Sequence, residues 1–249
     1  MIWNKATNSL DTNSIQRVLI QNRIYSICYY FEYIESHFEN DLKSIDTKLQ
    51  EKLIEFKKLN LDPEEYEHNQ MIYEYETLER EFIEIKNDFI SNYRNSVVFQ
   101  LFSLVESELR SYCKGLSDKY YFKFEDIRGN SEFEKFKLFV NRTKIIDFGL
   151  LNISWEFLDK LKTIRNIITH NESRFTTDNN DSKKIIDFSK GNFALKNLGT
   201  ISNFENGKFV ATKTEQFEVV IDNPQFIRLS ISNIENFFDI LYNSKRRHF

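Results

Sequence analysis

Residues 160–173 read KLKTIRNIITHNES, and within them Arg165, Asn166 and His170 assemble three side chains suited to one kind of chemistry. A guanidinium holds anionic oxygens with two parallel donors. An amide both donates and accepts. An imidazole gives or takes a proton near neutral pH. Together they could stabilise charge that builds up at an anionic centre while a proton moves. The plainer alternative is the solvated flank of an ordinary helix.

Helical geometry sharpens the choice. At about 100° per residue, a helix over 154–171 gathers Phe157, Leu161, Ile164, Ile167 and Ile168 on one face, which must turn inward. Asn166 and His170, four apart, are then neighbours on the side away from that face. Arg165 falls on the opposite flank, so its side chain must bend round or reach into a site shared with another subunit. The pattern predicts that His170 is exposed or lines an interface, rather than sitting in a core. Ser154 is the expected cap of this helix.

The elements that must position this stretch are mostly helical. From Ser14, apolar residues at Val18, Ile24, Ile27, Phe31, Ile34, Phe38, Ile45, Leu49, Leu53 and Phe56 recur at steps of mostly three and four. Asp62-Pro63-Glu64-Glu65 reads as a helix start, with a cap, a first-turn proline and acids at the positive end of the dipole. The following helix carries Ile72, Tyr75, Leu78, Phe82, Ile85 and Phe89 as a heptad-like seam. An antiparallel hairpin arm over 14–95 follows. Residues 90–174 are expected to form a core bundle, in which a wide apolar stripe runs through SVVFQLFSLVESELRSYCKGL and a further helix spans 132–147. After Arg174, TTDNNDSKK reads as a polar loop. Residues 185–222 read as a small antiparallel β-meander with a turn at ENG, and Asn223-Pro224 opens a final helix over 224–246. The expected fold is therefore one mainly α domain over 1–249: an antiparallel helical bundle with a long hairpin arm and a small β-meander insertion before the C-terminal helix.

Composition restricts the function classes. A net charge of −4 and a pI near 5.7 exclude a globally basic nucleic-acid binder. A local basic patch at an assembled interface remains open. Cys28 and Cys113 lie in apolar helical patterns and make neither a disulfide framework nor a zinc box. No stretch approaches the ~20 apolar residues of a membrane span, and the N-terminus lacks the apolar run of a signal peptide. A cytoplasmic protein with no membrane partner is expected.

On Arg165, Asn166 and His170, and on the long apolar helix that precedes them, the chain resembles the HEPN superfamily of all-α nucleotide-binding domains. Ribonuclease members of that family carry an R-x4–6-H motif, with a polar residue, often Asn, after the Arg. The resemblance covers roughly residues 90–174 and the final helix; the hairpin arm and β-like segment are additions to it. It implies a metal-independent endoribonuclease without a cofactor, acting on RNA as a homodimer in which two copies of Arg165 and His170 meet in one cleft. It also implies a bacterial toxin or anti-phage defence role, with a regulatory or antitoxin protein as a further partner. Glu106 or Glu108 would fill the place of the family's acidic residue on the core helix. In one subset of the family a Tyr two residues after the His is nucleotidylated. Glu172 stands there in this chain, so that control is not expected.

Other positions carry less. Arg94, Arg110 and Lys114 on the core helix are candidate RNA contacts, against a solvated face as the simpler reading. The basic tail KRRHF (245–249) could touch RNA or merely complement a helix end. His37 and His68 lie in acidic contexts, but no ligand cluster has metal spacing, so no metal is expected. The rival reading of the whole is a HEPN-like bundle without chemistry, or a helical-hairpin protein that serves as a binding or scaffold module.

Overall fold

Apolar steps of three and four build the long helices, and the computed structural model describes residues 12–58, 70–117, 123–129, 131–178, 180–205 and 208–244. Helix α1 (Thr12–Lys58) spans 47 residues, and α2 (Gln70–Glu84) packs against it. The expected helix start at Asp62-Pro63 lies outside the described residues. At the α1–α2 contact, Ile45, Leu49, Ile85 and Ile90 form a small cluster of their own with Phe38, Leu42, Tyr75, Leu78 and Phe82.

The heptad seam fails at its last position. Residues Ile85–Phe89 form a π-helical turn that leads into α3 (Ile90–Ser117). The wider turn shifts the phase, so Phe89 is 55% exposed and Ile90 takes the buried place. Val18 likewise faces solvent, while Ile20 and Ile24 enter the core. The outer face of α1 presents Tyr25, Tyr29, Tyr30 and Tyr33, all exposed.

The main core surrounds α3. Helix α4 (Glu132–Thr143) begins at Ser131, whose hydroxyl accepts from the Glu134 N–H, and ends at Lys144 in the left-handed region, short of the expected 147. A 3-10 turn over Phe148–Leu151 leads into α5 (Asn152–His170). The helix thus starts two residues before Ser154. That serine is not a cap: it is buried within the helix and accepts a hydrogen bond from Asn236 Nδ2 at 3.2 Å.

The insertion differs from a meander. Strand β1 (Arg174–Thr176) follows α5 closely and runs into the first residue of the expected loop, and α6 (Ser182–Ser189) begins within that loop. The helix forms because SKKIIDFS buries Ile185 and Phe188 on one side, where the Phe188 ring meets Phe157, Phe193 and Phe226. Strands β2 (Ala194–Glu205) and β3 (Lys208–Val220) pair antiparallel, and β1 adds to the other edge of β3, in the order β1-β3-β2. A register shift beside Gly199 uses its φ of 102°, which favours glycine. Helix α7 (Pro224–Ser244) returns to the core through Phe226, Ile234, Phe237, Phe238 and Leu241, with Leu229 left exposed. The result is a mainly α chain with a small three-stranded sheet. Among the described residues, no helix is long and apolar enough to cross a membrane.

Candidate functional site

Helix α5 is anchored by its apolar face. Trp155, Leu158, Leu161, Ile164 and Ile167 are buried, and the Trp155 ring stacks on Phe133 at 4.1 Å. The polar side is held with equal firmness at its end. The N–H groups of Asn171 and Ser173 both donate to the Ile167 carbonyl, at 3.1 and 3.2 Å, and Glu172 and Ser173 adopt left-handed φ values. The Ser173 carbonyl then accepts from the Val219 N–H at 2.7 Å. The helix therefore ends at its only histidine and is tied there to β3. His170 is exposed at this end, on the side its spacing requires.

Arg165 bends round toward its neighbour. Its Nη1 donates to Asn166 Oδ1 at 3.0 Å, and Nη2 lies 3.9 Å from Glu106 Oε2. The guanidinium sits 5.2 Å from the centre of the Phe99 ring and 5.7 Å from that of Phe102, a pair of cation–π contacts. Its Nε is buried and has no hydrogen-bond partner among the described residues. Leaving such a donor unpaired costs about 1–3 kcal/mol. The guanidinium is only partly buried, so its Nη atoms rather than the enclosed Nε are the donors an anionic oxygen could reach.

Of the two glutamates on α3, Glu106 is the one beside Arg165. Glu108 points instead to α1 and pairs with Arg23. Burial raises the Glu108 carboxyl above its ordinary range, outweighing the guanidinium next to it.

The other expected RNA contacts are occupied. Arg94 is 6% exposed, so its expected role as a phosphate contact is corrected. Its Nε and Nη2 donate to the two Glu35 oxygens at 2.9 and 2.7 Å, and Nη1 donates to the Ile221 carbonyl at 3.1 Å. A buried cation needs such partners, and the apolar stripe of α3 left it no route to solvent. Arg110 and Lys114 remain on the surface, paired with Glu132 at 2.9 Å and Glu125 at 2.8 Å. The tail 245–249 and His68 lie outside the described residues. His37 is exposed and meets the Tyr33 ring edge-on. Among the described residues, no three His, Cys, Asp or Glu side chains group closely enough to hold a metal ion.

Asn166 and His170 open onto a cleft of about 380 Å³ between α5 and α6. Asp159, Lys162 and Thr163 line it from α5, and Asp181 and Lys184 line it from the start of α6. The α5 residues lie at 159, 162, 163, 166 and 170, all on one helical face, so the sequence held that signal. Nothing in the sequence pointed to Lys184, because α6 was expected to be loop and strand. Compared with protein-family models, curated proteins and solved structures, the chain matches none.

Proposed function

We propose that this chain is a metal-independent endoribonuclease of the HEPN type, a bacterial toxin or anti-phage defence effector that works as a homodimer. The observation that carries the reading is the single polar unit at the end of α5. Arg165 is bonded to Asn166, and Asn166 shares a cleft with His170. In the proposed reaction a ribose 2′-OH loses its proton to a base and its oxygen attacks the adjacent phosphorus. The P–O5′ bond breaks and an acid protonates the departing 5′-oxygen. The products are a 2′,3′-cyclic phosphate and a 5′-OH. Imidazole is suited to either proton transfer. The Arg165 guanidinium would hold the phosphorane oxygens, with Asn166 fixing its orientation. One imidazole does not serve as base and acid at once, so a second His170 is supplied by a twin subunit related by a two-fold axis.

The test is cleavage of single-stranded RNA with EDTA present. Wild type should cut, and His170→Ala and Arg165→Ala should each lose about 10²–10⁴-fold, with unchanged circular dichroism. Cutting that requires an added metal would refute the metal-free chemistry, and a monomer that cuts at full rate would refute the composite site. The exposed tyrosines of α1 favour a second reading, a binding or scaffold module, because such rings are enriched at protein interfaces. That reading expects no cleavage by any variant.

A further inference from the structure

Helix α6 belongs to the insertion, which the ribonuclease resemblance leaves without a role, yet it forms one wall of the cleft at His170. The helix is fixed in place. Phe188 packs on Phe157, Lys160 lies 5.4 Å from the centre of the Phe188 ring, and the Ser182 hydroxyl donates to the Thr177 carbonyl at 3.0 Å. The cleft it closes is charge-balanced, with Lys162 and Lys184 set against Asp159 and Asp181. A groove that tracks a phosphate backbone carries surplus cations, and this one does not. Lys162 is also drawn toward α4, with Nζ 3.4 Å from Ser131 Oγ and lying over the Phe133 ring.

Of the charged groups left, Asp159 and Lys184 pair with each other between the two helices, and Asp181 lines the cleft at the start of α6. The paired groups are both partly exposed and neither is saturated, since a carboxylate offers about four lone-pair sites and an ammonium three donors. The four bases differ in how they would meet this pair. Guanine presents two adjacent donors, N1–H and N2–H, beside the acceptor O6. Adenine and cytosine set one amino donor beside a ring acceptor, and uracil sets one N–H between two carbonyls. Each of these three turns a lone pair toward a carboxylate oxygen.

We propose that the α5–α6 cleft is a guanine-reading subsite, in which Asp159 accepts from N1–H and N2–H and Lys184 donates to O6. The base it holds flanks the linkage presented to His170. Single-stranded RNA is read on such splayed-out base edges, and the cleft has the size of a small-molecule pocket. As a statement about RNA, the proposal rests on the ribonuclease reading.

Two measurements on the full chain keep the two readings apart. The four nucleoside 5′-monophosphates are titrated calorimetrically, and four oligoribonucleotides that differ at one central base are tested for cleavage. Guanosine monophosphate should bind about five- to 150-fold more tightly than the others, and cutting should favour guanine. Asp159→Asn and Lys184→Gln should each bring the ratio toward one, and the second variant serves if the first fails to fold. Equal affinity for all four nucleotides, or none, overturns the subsite even where RNA is cut without preference. Selective guanine binding without any RNA cleavage leaves the subsite standing and removes the ribonuclease.

Discussion

A single side chain on α3 can be judged by the company it keeps. Glu106 and Glu108 are two residues apart, yet one meets Arg165 and the other is partly buried against α1 beside Arg23. Burial lifts the Glu108 carboxyl above its ordinary range. The folded chain therefore binds this proton more readily than the unfolded chain. The group's stabilisation is complete below the ordinary glutamate range and is lost as pH rises through the raised value. Glu108→Gln keeps the neutral form, so it should raise the melting temperature at pH 7, with the gain vanishing near pH 3. Thermal melts across that range check the sign. Glu32 is the counter-case: its hydrogen bonds from Arg228 lower its carboxyl, so its contribution is present above the ordinary range and lost as acid protonates it. A melting temperature for Glu108→Gln that falls at pH 7 would mean that the Arg23 pair outweighs burial.

Among the elements, the π-helical turn at Ile85–Phe89 decides how the arm joins the core. Ile85 and Ile90 are both buried in the arm cluster although they lie five positions apart, a spacing an α-helix would not bring to one face. Deleting the exposed Asn87 would make the spacing four and let an unbroken α-helix keep both on the seam. This variant should fold and melt within a few degrees of wild type. Deleting Glu79 instead would rotate Phe82 and Ile85 by about 100° off the seam, and a loss several times larger should appear. Equal losses in differential scanning calorimetry would refute the phase argument. Elements also set the limits of sequence reading here. The periodicity of α5 placed Asn166 and His170 on one polar side. It could not place α6, an eight-residue helix whose reason to exist is the packing of Phe188 on Phe157 and Phe226.

Across the whole molecule, Arg94 joins three parts of the chain. Its guanidinium binds Glu35 of α1 and the carbonyl of Ile221, where the sheet hands over to α7, from the second turn of α3. The same burial pushes the nearby Tyr93 phenol up to about 12, with the Glu35 carboxylate adding to the effect. Removing one member of a buried pair strands the other. Arg94→Ala should therefore cost about 3–5 kcal/mol, or roughly 6–20 °C in melting temperature at about 2–4 °C per kcal/mol for a chain of this size. The paired replacement Arg94→Leu with Glu35→Leu should recover most of that loss. If the single variant is neutral, the clamp contributes nothing, and the attachment of α1 must rest on apolar packing and on other ion pairs, among them Arg23 with Glu108 and Glu32 with Arg228.

The sequence by itself determined the helical architecture, the inward face of α5 and the outward setting of Asn166 and His170. Those follow from the period of apolar residues, and burial enforces that period locally. It determined neither the bend of Arg165 onto Asn166, nor the withdrawal of Arg94 into the core, nor the α5–α6 cleft. Each depends on a partner far along the chain: rings on α3, a carboxylate on α1, a short helix in the insertion. A charged side chain has reach enough for several destinations. Which one it takes is a contest between desolvation and pairing, and only the packed tertiary structure decides it.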